Sequence, residues 1–234
     1  MTTPLRIGLL VFPDMTQLDM TGPLQVFSAV PDVEIHLLWK TLEPVRTDSV
    51  MRINPTTTIE SCPQLDVICV PGGYGTDALL GDRDILDFLT RQGASARYIT
   101  SVCTGALVLG AAGLLDGYEA VTHWTAMDVL GDLGAIPVQD RVVIDRNRVT
   151  GGGVTAGIDF ALTLVAEIFD RATAEGVQLR LEYVPHPPFD AGSPHTAPPE
   201  VLAGYQARIG PAKRRRAEAV SRAAARLAAA ASDQ

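Results

Sequence analysis

The sequence predicts a doubly wound α/β fold, with a mostly parallel sheet and helices on both faces. Three observations carry this. Short, nearly unbroken apolar runs recur along the chain, as in strands covered on both sides. Segments of helical periodicity alternate with them. Several of the apolar runs end in glycine- or proline-rich turns, at the sheet edge where such folds bind ligands. There is no internal repeat.

The 234 residues are enough for one substantial core or two small ones. Hydrophobic content is 47% and charged content 20%, ordinary values for a globular domain. The net charge of −8 argues against a general nucleic-acid binder. No stretch approaches the roughly 20 apolar residues of a membrane span, and no signal peptide is evident ahead of the first strand. The cysteines, Cys62, Cys69 and Cys103, are odd in number and form neither a Cys-x-x-Cys nor a Cys/His cluster. That pattern points to reduced cytoplasmic thiols and away from a zinc site.

Arg6–Phe12 suits a central parallel strand, ended by Pro13-Asp14. The loop after it carries Asp19. Pro23 fits the first turn of a helix running to about Val30, capped by Thr21 or Gly22. Glu34–Lys40 is a second strand, and Arg52–Ile59 a short strand or hairpin. Asp66–Val70 is another buried strand, stopped by Pro71-Gly72-Gly73-Tyr74-Gly75. Asp82–Gly93 is an amphipathic helix with Ile85, Phe88 and Leu89 on one face. Tyr98–Val102 is a strand, Gly105–Ala112 a helix, and only Cys103 and Thr104 lie between them. Further on, Glu119–His123 reads as a short strand, Thr125–Leu133 as a helix, and Val142–Thr150 as a hairpin. Gly151-Gly152-Gly153 precedes a helix from about Thr155 to Ala172, and Ala174–Tyr183 continues as helix. Six of the sixteen residues from Val184 to Pro199 are proline, which excludes regular structure and predicts an extended strap along the surface. Glu200–Ala231 is helical, with Gly210-Pro211 as a point where it can break, and its end is basic. We therefore divide the chain into an α/β domain, residues 1–183, and a strap with a basic helix, residues 184–234. The latter is expected to pack on the same domain or on a dimer partner.

Cys103 stands on a strand-to-helix turn, the geometry of a nucleophile elbow with Cys in place of Ser. The unpaired N–H groups and positive end of the following helix are expected to favour a thiolate. A buried structural thiol is the ordinary alternative, and it suits Cys69 well. Asp19 is a solvated loop acid unless its strand and that of Cys103 are both central and adjacent. In that case a partly desolvated carboxyl with a raised pKa would face the thiol as general acid and base. Thr104 is a helix-start hydroxyl whose backbone N–H, with one from Gly72 or Gly73, is available to an oxyanion. His123 is open between a Cys–His dyad and a structural histidine. Gly151–Gly153 is explained equally by anion binding and by a tight connection. The basic tail is read as a solvated helix face, or as charge paired with the body or a second subunit.

The segments Ile7-Gly-Leu-Leu-Val-Phe-Pro13, Leu18-Asp-Met-Thr-Gly-Pro23, Val70-Pro-Gly-Gly73, Ser101-Val-Cys-Thr-Gly105, Thr122-His-Trp124 and Gly151-Gly-Gly-Val-Thr-Ala-Gly-Ile-Asp159 occur in that order. Together they resemble the ThiJ/PfpI superfamily, whose flavodoxin-like sandwich is similar to the class I glutamine amidotransferase domain. The resemblance covers about Arg6 to Ala172. It narrows to the isonitrile-hydrating branch through Leu181-Glu-Tyr, Pro187-Pro-Phe-Asp-Ala-Gly-Ser-Pro194 and Arg222-Ala-Ala-Ala-Arg-Leu-Ala-Ala229.

The resemblance implies a homodimeric, cofactor-free hydro-lyase without metal, acting on a small isonitrile. It matches the nucleophile to Cys103, the acid/base carboxylate to Asp19 and a required hydroxyl to Thr104. Thr104 stands where the protease-like branch has His, which argues against a Cys–His peptidase. Asp19 stands where several relatives carry Glu, and Phe189-Asp190 where Phe-Asn is expected. A glyoxalase or stress protein of the same superfamily is one alternative. The other is a ligand-binding module like that of AraC-type regulators, whose DNA-binding part of roughly 100 residues is longer than the chain beyond Tyr183.

Overall fold

β1 (Leu5–Leu10) is buried along nearly its whole length and pairs in parallel on both sides, as its unbroken apolar sequence requires. The computed structural model describes residues 4–232. In chain order β1 is succeeded by α1 (Gln17–Phe27), β2 (Val33–Trp39), β3 (Val45–Arg46), β4 (Arg52–Ile53), β5 (Thr57–Thr58), β6 (Val67–Val70), α2 (Thr76–Leu79), α3 (Arg83–Gly93), β7 (Tyr98–Val102), α4 (Gly105–Ala111) and β8 (Glu119–Ala120). Then come α5 (Met127–Leu130) between two 3₁₀ turns, β9 (Ile136–Pro137), β10 (Val142–Asp145), β11 (Arg148–Gly151), α6 (Ala156–Ile168), α7 (Arg171–Arg180) and α8 (Pro199–Ser232).

The main sheet has seven strands in the order β10-β11-β7-β6-β1-β2-β5. All pairings are parallel except the β10–β11 hairpin. The chain leaves β1 toward β2 on one side and β6 toward β7 on the other, so the topological switch lies between β1 and β6. α1 packs on α6 on one face, where Phe27 and Phe160 meet edge to face with centroids 6.3 Å apart. On the other face α2, α3, α5 and α8 gather round α4. Every residue of α4 is buried, which is why its sequence has no polar stripe. α3 is the opposite case: Asp82 caps its Ile85 N–H, and Ile85, Leu86, Phe88 and Leu89 form its single buried face.

Several expected boundaries move. The first helix begins at Gln17, not near Pro23, so Asp19 is in its first turn and not in a loop. Thr16, extended at the N-cap position, starts it. Pro23 sits inside the helix, where it deprives the Asp19 carbonyl of its helical donor. The strands before Asp19 and Cys103 are both central but not adjacent, because β6 lies between them. The helix expected from Thr155 to Ala172 ends at Ile168, and α7 begins anew with Asp170 as its cap. α8 runs 34 residues without breaking at Gly210-Pro211. Pro211 and Ala207, whose carbonyl loses its partner, are both exposed, so solvent can satisfy that carbonyl. Residues 184–198 contain no helix or strand, and most are exposed. Among the described residues no helix is long and apolar enough to cross a membrane.

Candidate active site

Three neighbouring strand ends meet here: β1 leads to Asp19, β6 to Gly72 and Gly73, and β7 to Cys103. Cys103 adopts φ +56°, a left-handed conformation that is uncommon for any residue but glycine. Its surroundings hold it there. The Cys103 N–H donates to the Gly151 carbonyl at 2.9 Å, and the Thr122 hydroxyl donates to the Cys103 carbonyl at 2.8 Å. The first residue of the Thr-His-Trp segment therefore fixes the turn. Gly105 lets the start of α4 press against the end of β6, where a side chain would run into the Val70 carbonyl.

Asp19 is fully buried. Its Oδ2 accepts the Gly72 N–H at 2.9 Å, while Oδ1 has no hydrogen-bond partner among the described residues. Gly72 separates the acid from the thiol by less than a methyl group: a Cβ there would lie 2.8 Å from both Asp19 Oδ2 and Cys103 Cβ, and 2.6 Å from Thr104 N. Burial pushes the Asp19 carboxyl up to about 7, against the pull of the Gly72 amide. Burial, and then the charge of Asp19, push the Cys103 thiol well above its ordinary value. The Thr104 N–H pulls it down without prevailing. The start of α4 thus does not make a standing thiolate on its own. The thiol and carboxyl lie close enough to titrate as a pair, each feeling the other's charge.

Thr104 Oγ1 accepts the Gly73 N–H at 3.0 Å and lies 3.2 Å from the Gly73 carbonyl. Thr76 Oγ1 donates to that same carbonyl at 2.7 Å. The Thr104 hydroxyl therefore grips the glycine loop, and the Gly72 and Gly73 N–H groups are both engaged in the resting site. The Thr104 N–H is the donor that faces the sulfur.

Cys103 and Thr104 open into a cavity of about 120 Å³. His123 lies on its wall but bonds Thr125 Oγ1 through Nδ1 at 2.7 Å, and no hydrogen bond joins it to Cys103 among the described residues. Burial, with the nearby Arg216 charge, lowers its pKa to about 4, so it is neutral near pH 7. His195, on the exposed strap, bonds Gln139 of the body, and His36 bonds Thr57. The Gly151 carbonyl is spent on the Cys103 amide.

α8 supplies what reading the sequence missed. Tyr205, Ile209, Ala212 and Arg216 line the cavity from one face of that helix, and Trp124 stacks on Tyr205 with centroids 5.7 Å apart. Their spacing of four, three and four residues was the available signal. Part of the basic run is paired with the body, Arg216 to Asp77 at 2.8 Å and Lys213 to Asp128 at 2.8 Å, while Arg214, Arg215 and Arg222 are exposed. Arg226 donates to the Leu80 and Ala111 carbonyls at 3.1 Å each.

The profile of the DJ-1/PfpI family matches residues 5–167. Isonitrile hydratase of Pseudomonas putida is 57% identical over 223 residues, covering 95% of this chain and 98% of that protein. The crystal structure of a ThiJ/PfpI family protein from Pseudomonas syringae superposes with a TM-score of 0.91 at 46% identity, covering 93% of this chain and 90% of that one. The HTH-type transcriptional regulator GbdR of Pseudomonas aeruginosa is 29% identical over 183 residues, which are 74% of this chain and 49% of the regulator.

Proposed function

The chain belongs to the DJ-1/PfpI family, and from that premise we propose that it hydrates isonitriles to N-substituted formamides, with Cys103 as nucleophile and Asp19 as proton carrier. One observation carries the reading. The 57% identity to the Pseudomonas putida hydratase spans 95% of the chain, and so runs past the family's residues 5–167 into the helix that walls the cavity.

In the reactive state the pair holds one proton, on Asp19, and Cys103 is the thiolate. Sγ attacks the terminal isonitrile carbon and a C–S bond forms. The electron pair on that carbon takes the Asp19 proton, giving the thioimidate R–N=CH–S–Cys103. Asp19, now a carboxylate, removes a proton from water as its oxygen adds to the same carbon, and that proton passes to nitrogen. The resulting R–NH–CH(OH)–S–Cys103 collapses. Its hydroxyl proton returns to Asp19, the C–S bond breaks, and R–NH–CHO leaves with the site in its starting state. Thr104 and Gly73 hold the loop that keeps Gly72, and through it Asp19, against the thiol. The Thr104 N–H steadies negative charge on sulfur in both addition and departure.

The same reading makes the enzyme a homodimer and places it in the cytoplasm. Val184 and Phe189 of the strap, each 79% exposed, are apolar groups that a second copy would cover. The three cysteines are unpaired, as a reducing compartment keeps them.

Incubation with an alkyl or aryl isonitrile, followed by mass spectrometry of the formamide, tests the function. Cys103→Ala and Asp19→Asn should abolish turnover, and Cys69→Ala should not. Normal turnover by Cys103→Ala would sink the mechanism, and absence of formamide from every isonitrile would sink the function.

A further inference from the structure

Arg216 is buried, with 7% of its surface exposed, yet it uses little of its hydrogen-bonding capacity. Its Nε donates to Asp77 Oδ1 at 2.8 Å. Its two terminal nitrogens make no hydrogen bond among the described residues, although a guanidinium carries five N–H donors. Arg226, on the same helix, spends both of its terminal nitrogens on carbonyls. The difference lies in what each faces. Arg216 forms part of the cavity wall with Cys103 and Thr104. Lys213 lines the same cavity, and no Asp or Glu does. Neither terminal nitrogen is fully enclosed, so both are open to an acceptor that enters the cavity. The partner supplied by the protein, Asp77, holds the one edge that is used.

We propose that Arg216 anchors a carboxylate on the substrate, so that the preferred substrates are small isonitriles bearing an acid group. The proposal rests on the isonitrile-hydrating reading above. The planar guanidinium matches a carboxylate through two parallel N–H donors, a geometry that a neutral ester or alkyl group cannot use as well. With the isonitrile carbon at Cys103 and the acid at Arg216, both inside about 120 Å³, the spacer between them must be short. Arg216 is in this sense a specificity residue. Acting on the isonitrile group itself would affect acid and ester alike, and that difference is measurable.

The test uses the full-length protein and compares kcat/KM for isocyanoacetate with that for methyl isocyanoacetate. Wild type should favour the acid by at least about tenfold. Arg216→Gln, which keeps an N–H for Asp77, should lower that ratio by about tenfold to a hundredfold, the worth of a hydrogen bond to a charged group. The loss should fall mainly on KM for the acid. Arg216→Lys should lie between the two. Arg214→Gln, which removes an exposed charge from the same helix, should leave the ratio where it was. A wild-type ratio near or below one overturns the proposal, as does an equal loss on both substrates in Arg216→Gln. A second measurement needs no variant: butyrate should protect Cys103 from iodoacetamide at a concentration at least about tenfold lower than butyramide. Equal protection overturns the anchor. Should neither isonitrile yield formamide, the hydratase reading falls by itself, and the protection experiment still decides whether the cavity selects carboxylates.

Discussion

Replacing Asp19 by Asn should remove catalysis and make the protein more stable, increasingly so as pH rises. The carboxyl is fully buried and its pKa moves from an ordinary 3.8 to about 7. A group whose folded pKa is raised contributes most below its unfolded pKa, and that contribution is lost as pH climbs through the folded value. Each pH unit between the two values is worth about 1.36 kcal/mol. The native state therefore loses about 4 kcal/mol on going from acid to pH 8, most of it between pH 4 and pH 7. Asn is neutral throughout and can still accept the Gly72 N–H through its oxygen. The stability gain of Asp19→Asn over wild type should grow by about 2 to 3 kcal/mol between pH 5 and pH 8. For a chain of this length that is a difference in Tm of about 4 to 12 °C. Thermal denaturation of both proteins at the two pH values measures it, and the other carboxylates cancel in the difference. A gain that is the same at pH 5 and pH 8 would refute the assignment of a protonated, desolvated acid to Asp19, and with it the supply of the proton.

The same geometry sets three further outcomes. The reactive pair holds one proton between Asp19 and Cys103, and below about 7 it holds two; kcat/KM for isonitrile hydration should therefore rise with pH through about 7 as a single-proton limb, measured by formamide release across pH 5 to 9. Gly72→Ala puts a methyl group 2.6 to 2.8 Å from Thr104 N, Asp19 Oδ2 and Cys103 Cβ. It should cost about 1 to 3 kcal/mol of stability by overpacking and reduce kcat/KM by roughly a hundredfold or more as the acid is moved from the thiol, whereas Gly192→Ala, with nothing within 4 Å, should change neither. Arg226→Leu strips donors from two carbonyls at the ends of α2 and α4 and should lower stability by about 1 to 2 kcal/mol in urea denaturation, the side chain being partly exposed.

Legibility in the sequence tracked how local each feature is. Cys103 could be read directly, because a strand and a buried helix separated by two residues leave no room for anything but a sharp turn. The parallel strands were legible from their unbroken apolar runs. Asp19 needed more. Its distance from the thiol depends on β6 lying between β1 and β7, and strand order is not written in any local pattern. Pro23 also drew the helix start five or six residues too far along, since its usual place at a first turn outweighs a proline tolerated inside a helix. α2 has only four residues, fewer than any periodicity can register. Arg216 was hidden differently. Within Lys213-Arg214-Arg215-Arg216 it looks like one more solvated charge, and only the helical spacing from Tyr205 and Ile209 sets it apart.

Three exacting features of this molecule come together at the site. A non-glycine residue at φ +56°, a fully buried carboxyl with an unpartnered oxygen, and a buried guanidinium with unused donors all meet around one small cavity. Each would relax if its surroundings allowed it. The turn would flatten if Thr122 and Gly151 released the Cys103 peptide. Asp19 would reach water if Gly72 did not hold it, and Arg216 would swing outward if Val220, Ala219 and Ala223 did not pin α8 to the core. The supporting contacts come from β6, β11, the Thr-His-Trp segment and α8, which are far apart in sequence. A reactive thiol–carboxyl pair of this kind therefore depends on the whole folded chain. In our reading that is why the likeness to the Pseudomonas putida hydratase extends through α8 and does not stop where the family's residues 5–167 end.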